Sequence, residues 1–164
     1  MPSLLHDPSA YDTGDDVNLG GYAGSLVTYA AGVGFLLIAA RVTGRQLPRT
    51  YSTRDLVVGG VATHKLTRLL SRASVTSPLR APFTTFDAPA GSGEHVESAR
   101  GDHGLRHTVG ELLTCPFCLG VWVGTAYVAG LVAAPGPTRA LAAVMTVVAG
   151  SDTLQHAYSR LRGD

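Results

Sequence analysis

The chain is short of charge, of cysteine and of aromatic rings. Asp, Glu, Lys and Arg make up only 15% of its 164 residues, against 45% hydrophobic. That is a small charged share for a soluble domain of this size. Two cysteines exclude a disulfide-rich secreted scaffold. Aromatics at 7% and the lack of a basic block argue against nucleic acid as a partner. There is no N-x-Ser/Thr acceptor, no internal repeat, no phosphate loop, no His-Glu-x-x-His and no Ser-His-Asp pattern with a supporting context. No catalytic residue can be named from these, and the reading leans away from an enzyme. Residues 1–16 carry four Asp and no Lys or Arg, so they are not expected to be a cleavable leader.

The same scarcity of charge is concentrated in two places. Residues 17–40 form a run of 24 without charge, and residues 112–138 a run of 27. A bilayer span takes roughly 20 apolar residues, so both are long enough. The alternative is a pair of core helices in a soluble α-domain, but the runs are apolar all round rather than on one face. A third stretch is apolar from Ala140 to Gly150, then meets Asp152, His156, Arg160 and Arg162. Pro135, Gly136 and Pro137 break the chain before it. The expectation is an all-α fold, a small multi-pass membrane helical bundle with about three spans and one amphipathic interfacial helix.

Its parts are an acidic tail (1–16), a first span (17–41), an amphipathic helix (54–72), a cytoplasmic loop (73–107), a second span (108–134) and a third (138–160). In the amphipathic helix Val58, Ala62, Leu66, Leu69 and Leu70 share one side, with His64, Lys65, Arg68 and Arg72 on the other. Residues 1–40 hold no Lys or Arg, and residues 41–106 hold ten of the thirteen. Under the positive-inside rule the N-terminus is then outside, the first span runs inward, the second outward, and the C-terminus is cytoplasmic. Residues 88–104 read as a flexible loop with solvated polar segments around His95 and His103.

The chemistry that remains is at Gly110-Glu-Leu-Leu-Thr-Cys-Pro-Phe-Cys-Leu-Gly120. Thr108 and Glu111 have capping-box spacing. Pro116 either bends a helix already running or sits in the first turn of one starting at Thr114 or Cys115. In both cases Cys115 and Cys118 lie at a helix start or kink, on one face. Free N–H groups there favour a thiolate. Three readings stay open: a redox pair, half of a metal site, or two structural thiols. A four-ligand zinc site needs more donors than one Cys-x-x-Cys knuckle supplies. His156, Asp152 and His64 are the donors expected at the same depth. Asp152 otherwise pairs with Arg68 or caps a neighbour. Trp122 follows Cys118 by one turn and is expected to pack or to anchor the interface. Gly20/Gly24 and Gly120/Gly124 match the spacing of close-packed membrane helices.

The blocks His64–Phe83, Gly110–Gly124 and Ser151–Leu161 together resemble the DUF1360 family of small bacterial membrane proteins, over roughly residues 55–162. The matching residues are Arg68, Pro78, Arg80, Pro82, Phe83, Gly110, Glu111, Cys115, Pro116, Cys118, Trp122 and Asp152. The resemblance implies a protein of the bacterial inner membrane, some relatives being sporulation proteins, and implies no reaction. The expected function is a non-catalytic scaffold or interaction module in envelope or sporulation-type processes. The alternative is a thiol-redox or metal-binding membrane protein using Cys115 and Cys118 at the cytoplasmic face. Expected partners are membrane lipids and other membrane proteins or further copies of the chain. No cofactor is implied beyond the zinc such a site would take.

Overall fold

The computed structural model describes residues 17–163; the acidic tail (1–16) lies outside them. Helix α1 (Leu19–Val42) starts on Asn18, whose side chain accepts from the Gly21 N–H. Helix α2 (Thr53–Ser71) starts on Ser52, whose hydroxyl accepts from the Asp55 N–H at 3.0 Å. A 3₁₀ turn (Ser74–Thr76) and the single turn α3 (Ser77–Arg80) lead into two antiparallel strands, β1 (Thr84–Pro89) and β2 (His95–Ala99). Helices α4 (Leu105–Thr114), α5 (Pro116–Ala133) and α6 (Pro135–Arg162) complete the chain.

The fold is mostly helical, as expected, but not all-α. The segment read as a loop holds a β-hairpin, built where β-branched and aromatic residues cluster in Thr84-Thr85-Phe86. Its turn passes through Gly91, Ser92 and Gly93, all at positive φ, which glycine permits at little cost. The capping box does not form. Helix α4 begins three residues before Thr108, with Gly104 as its cap. The chain instead breaks at Cys115, in extended conformation (φ −104°, ψ 102°). A residue before proline is pushed out of the helical region, and Pro116 is pre-set for the first turn of the next helix. So the second of the two sequence readings of Pro116 holds.

Side-chain contacts fix how the long helices run. Asn18 and Tyr22 at the start of α1 reach Glu111 of α4, Tyr29 meets Trp122, and Arg45 beyond the end of α1 donates to the Val132 carbonyl at 3.0 Å. Helices α1 and α5 therefore run in the same direction, whereas the charge pattern led us to expect opposite ones. Helix α2 returns between α5 and α6. Arg139 grips Asp55, the Thr146 hydroxyl meets the Val58 carbonyl, and Lys65 pairs with Asp152. Helix α2 packs along both α5 and α6. The start of α1, the hairpin and the end of α6 all lie at one end of the bundle.

Burial is inverted relative to a water-soluble domain. Among the described residues the buried apolar side chains are Ala62, Leu119 and Ala142, while Asp55, Thr67, Ser71, Arg80, Thr84, Glu97 and Thr108 are buried polar ones. Large apolar side chains point outward on every long helix, such as Leu26 and Phe35 on α1, Val57 on α2, Val121 on α5 and Val147 on α6. Helices α1 and α5 are long and apolar enough to cross a membrane. Helix α6, with 28 residues, is long enough but not apolar enough to join them: Arg139, Asp152, Arg160 and Arg162 lie within it. The expected third span is therefore not confirmed.

Small residues let α2 approach its neighbours. A Cβ on Gly59 would come within 2.1 Å of the Tyr127 ring. The Gly20/Gly24 and Gly120/Gly124 pairs, by contrast, face open space, so their spacing marks no helix contact here.

Candidate functional site

Three groups of polar side chains gather at the hairpin end. The first is a buried ion pair. Arg80 is 1% exposed and donates through Nε to Glu97 Oε2 at 2.9 Å and through Nη2 to Oε1 at 2.6 Å. Its remaining donors reach the Leu70 and Ala73 carbonyls and the Thr76 and Ser77 hydroxyls. The guanidinium thus ties the end of α2 and the turn after it to strand β2. Ser77 and Thr84 also donate to Glu97, at 2.9 and 2.7 Å. Burial opposes the charge on Glu97, but the bonds from Arg80, Thr84 and Ser77 outweigh it and hold its carboxyl at about 2. With every donor of Arg80 engaged, this knot has a structural role.

Sequence reasoning missed Glu97, reading its segment as solvated. The usable signal was alternation: in His95-Val-Glu97-Ser-Ala99 every second residue shares a face. The other family-motif residues build the same corner. Pro78 opens α3, the Pro82 carbonyl accepts from Arg106, and the Phe83 carbonyl accepts from the Arg100 N–H. A Cβ on Gly110 would stand 2.5 Å from that Phe83 oxygen, so α4 can lie on the hairpin only with glycine there.

The second group lines a cleft of about 1180 Å³ between α2, α6 and the hairpin tip, which includes His64, Lys65, Arg68, Glu94, Asp152 and His156. Asp152 pairs with Lys65, one turn before the expected Arg68, and Arg68 pairs with Glu94. Three of the five expected metal donors, His64, Asp152 and His156, do share this cleft. Cys115 and Cys118 are not in its lining. Among the described residues no group of three or more His, Cys, Asp or Glu is placed to hold a metal ion. The ligand set drawn from the sequence is therefore not assembled.

The third group is the cysteine pair. Cys115 and Cys118 are joined as a disulfide, with Cα atoms 5.3 Å apart, inside the range such a bond spans. Cys115 caps α5, and its Sγ accepts from the Cys118 N–H at 3.2 Å. Cys118 and the intervening Phe117 are exposed, and Cys115 is half-buried. Next to the pair, Glu111 accepts from the Tyr22 hydroxyl and the Asn18 amide, both at 2.8 Å. It joins α4 to α1 instead of capping its own helix. Trp122 packs edge-on against Tyr29, ring centres 5.3 Å apart.

These features describe a helical bundle with an apolar exterior, a buried ion-pair knot under a hairpin, and a vicinal cysteine pair at a helix start. The chain belongs to the DUF1360 family, described as a protein of unknown function, whose sequence profile matches residues 58–158. The match runs from α2 into α6, covers the knot and both cysteines, and leaves α1 outside. No curated protein and no solved structure matches the chain.

Proposed function

We propose that this is an integral protein of the bacterial cytoplasmic membrane whose chemistry is thiol–disulfide exchange at Cys115 and Cys118. One observation carries the reading: the Cys115 sulfur accepts the Cys118 N–H at the first turn of α5 while lying within bonding reach of the second sulfur. Helix N-terminal N–H groups stabilise negative charge, and the thiolate is the reactive form of cysteine. Cys115 is then the attacking sulfur and exposed Cys118 the one that resolves a mixed disulfide. Reduction of an external disulfide by the pair moves two electrons and two protons and leaves Cys115 bonded to Cys118.

In this reading α1, α2, α5 and α6 all cross the bilayer. The charges on α2 and α6 are compatible with that because Lys65 faces Asp152 and Asp55 faces Arg139, and ionisable groups in membrane bundles pair in the interior. We assign the hairpin end, with eight of the thirteen Lys and Arg, to the cytoplasm, with Asn18 and Gly163 on that side. There a disulfide is transient and functional rather than structural.

The test is to equilibrate detergent-purified protein in dithiol buffers of graded potential and count thiols by alkylation. The expected result is a joint two-thiol transition. Thiols that stay reduced and unreactive at all potentials refute it. A second reading, a non-catalytic interaction module, is favoured by the fully satisfied Arg80–Glu97 knot, which makes the hairpin a rigid surface. It predicts that the Cys115→Ser/Cys118→Ser double variant keeps both fold and cellular phenotype.

A further inference from the structure

The cleft between α2, α6 and the hairpin tip, about 1180 Å³, exceeds the roughly 300–1,000 Å³ of a usual small-molecule site. Helices α2 and α6 run parallel along it: Asp55 meets Arg139, Val58 meets Thr146 and Lys65 meets Asp152, in that order. This register grades the lining from end to end. At mid-bundle it is Gly60 and Val61 of α2 with Ala149 and Gly150 of α6. Towards the hairpin it becomes Lys65 and Arg68 with Asp152, His156 and Arg160. From Gly60 to Arg68 is about 12 Å of helix, so the lining passes from small and apolar to charged within that length.

The charged end carries a surplus of positive charge. Three cations, Lys65, Arg68 and Arg160, line it with two carboxylates, Glu94 and Asp152. Lys65 pairs with Asp152, and Arg68 holds Glu94 through Nε and Nη2. Among the described residues the side chains of His64, His156 and Arg160 make no hydrogen bond or ion pair. His156 and Arg160 are exposed. The carbonyls that end α2 would repel an anion, but Arg80 takes that of Leu70 and Thr76 that of Leu69.

We infer that this cleft holds an anionic phospholipid, with its phosphate at Arg160 and His156 and the start of an acyl chain along Gly60 and Gly150. The inference rests on the membrane reading above and is independent of the thiol chemistry. Basic pockets between spanning helices on the cytoplasmic side attract anionic headgroups, and Arg160 has no internal partner to give up. A free phosphate would occupy only the charged end. The small, apolar end beside it is what a lipid needs and a free phosphate does not.

The experiment uses the full chain in detergent, with bound lipid counted by native mass spectrometry as dioleoylphosphatidylglycerol or dioleoylphosphatidylcholine is added. The expected result is one phosphatidylglycerol bound at concentrations where phosphatidylcholine does not bind. Arg160→Gln is expected to raise its Kd about fivefold, the loss of one cation beside a lipid phosphate. A Cβ on Gly150 meets nothing within 4 Å, so Gly150→Leu narrows the apolar end without disturbing the fold. It is expected to raise the same Kd and to leave the unfolding temperature in lipid-free detergent unchanged. Equal binding of the two lipids, or an unchanged Kd in Arg160→Gln, overturns the cleft as an anion site. Displacement of the lipid by inorganic phosphate, with no effect of Gly150→Leu, assigns the cleft to a free phosphate and overturns the lipid. Alkaline carbonate treatment of the chain in phosphatidylcholine vesicles separates this inference from the reading beneath it. A chain that is extracted removes the membrane reading and the lipid site together. A chain that stays embedded but shows no preference for phosphatidylglycerol removes the lipid site alone.

Discussion

Arg80 and Glu97 show how a single pair can organise this chain. Removing one partner strands a buried charge, which costs about 3–5 kcal/mol. Arg80→Met is therefore expected to destabilise the hairpin end by that order, read as faster proteolysis between β1 and β2. Adding Glu97→Leu to Arg80→Met is expected to recover part of the loss, because the stranded carboxylate is gone. Arg80→Lys is not a conservative change, since an ammonium cannot reproduce the fork to Glu97 and the reach to two carbonyls. The pH dependence follows from the depressed Glu97 carboxyl. Its folded value, about 2, lies below its ordinary 4.5, so its contribution is complete above 4.5 and lost as pH falls towards 2. Thermal unfolding temperature should fall across that window in the native chain, and the fall should be smaller in Glu97→Gln.

At the scale of elements, the helix breaks were legible and the partners were not. Pro116 and Pro135 each open a helix by local sterics alone, so their places could be read without knowing any neighbour. The apolar and basic sides of helix α2 could be read locally, but the helices it packs on, α5 and α6, could not. What decides its position is the close approach at Gly59, which leaves room for the Tyr127 ring of α5. Gly59→Leu is expected to drive the Tyr127 ring off α2 and break its hydrogen bond to the Asp55 carbonyl, now 2.8 Å. The measurable outcome is an unfolding transition in mixed micelles lowered by about 1–3 kcal/mol, as for other overpacked seams. Gly60→Leu is the control, since a Cβ there meets nothing within 4 Å, and it should unfold like the native chain.

Across the whole molecule, parity is the sharpest consequence of the bundle. Three spans would put the two ends of the chain on opposite sides. The parallel run of α1 and α5, with α2 returning between α5 and α6, brings the start of α1 and the end of α6 together. Single-cysteine variants in a Cys115→Ser/Cys118→Ser background, at Gln46 and at Gly163, should therefore label from opposite sides of the membrane, with Asn18 on the side of Gly163. Labelling of Asn18 and Gly163 from opposite faces would restore the three-span arrangement.

The sequence by itself determined the long uncharged runs, the break at Cys115-Pro116 and the family. Each follows from composition, local sterics or motif spacing within a few residues. Only the tertiary structure decided the directions of the helices, the pairing of Lys65 with Asp152 and the burial of Glu97 beside Arg80. Those depend on groups far apart in the chain, 17 residues for the knot and 87 for the Lys65 pair. A charged residue carries the same letter whether it ends in water or against a partner, and only the packing of α2 chooses between them.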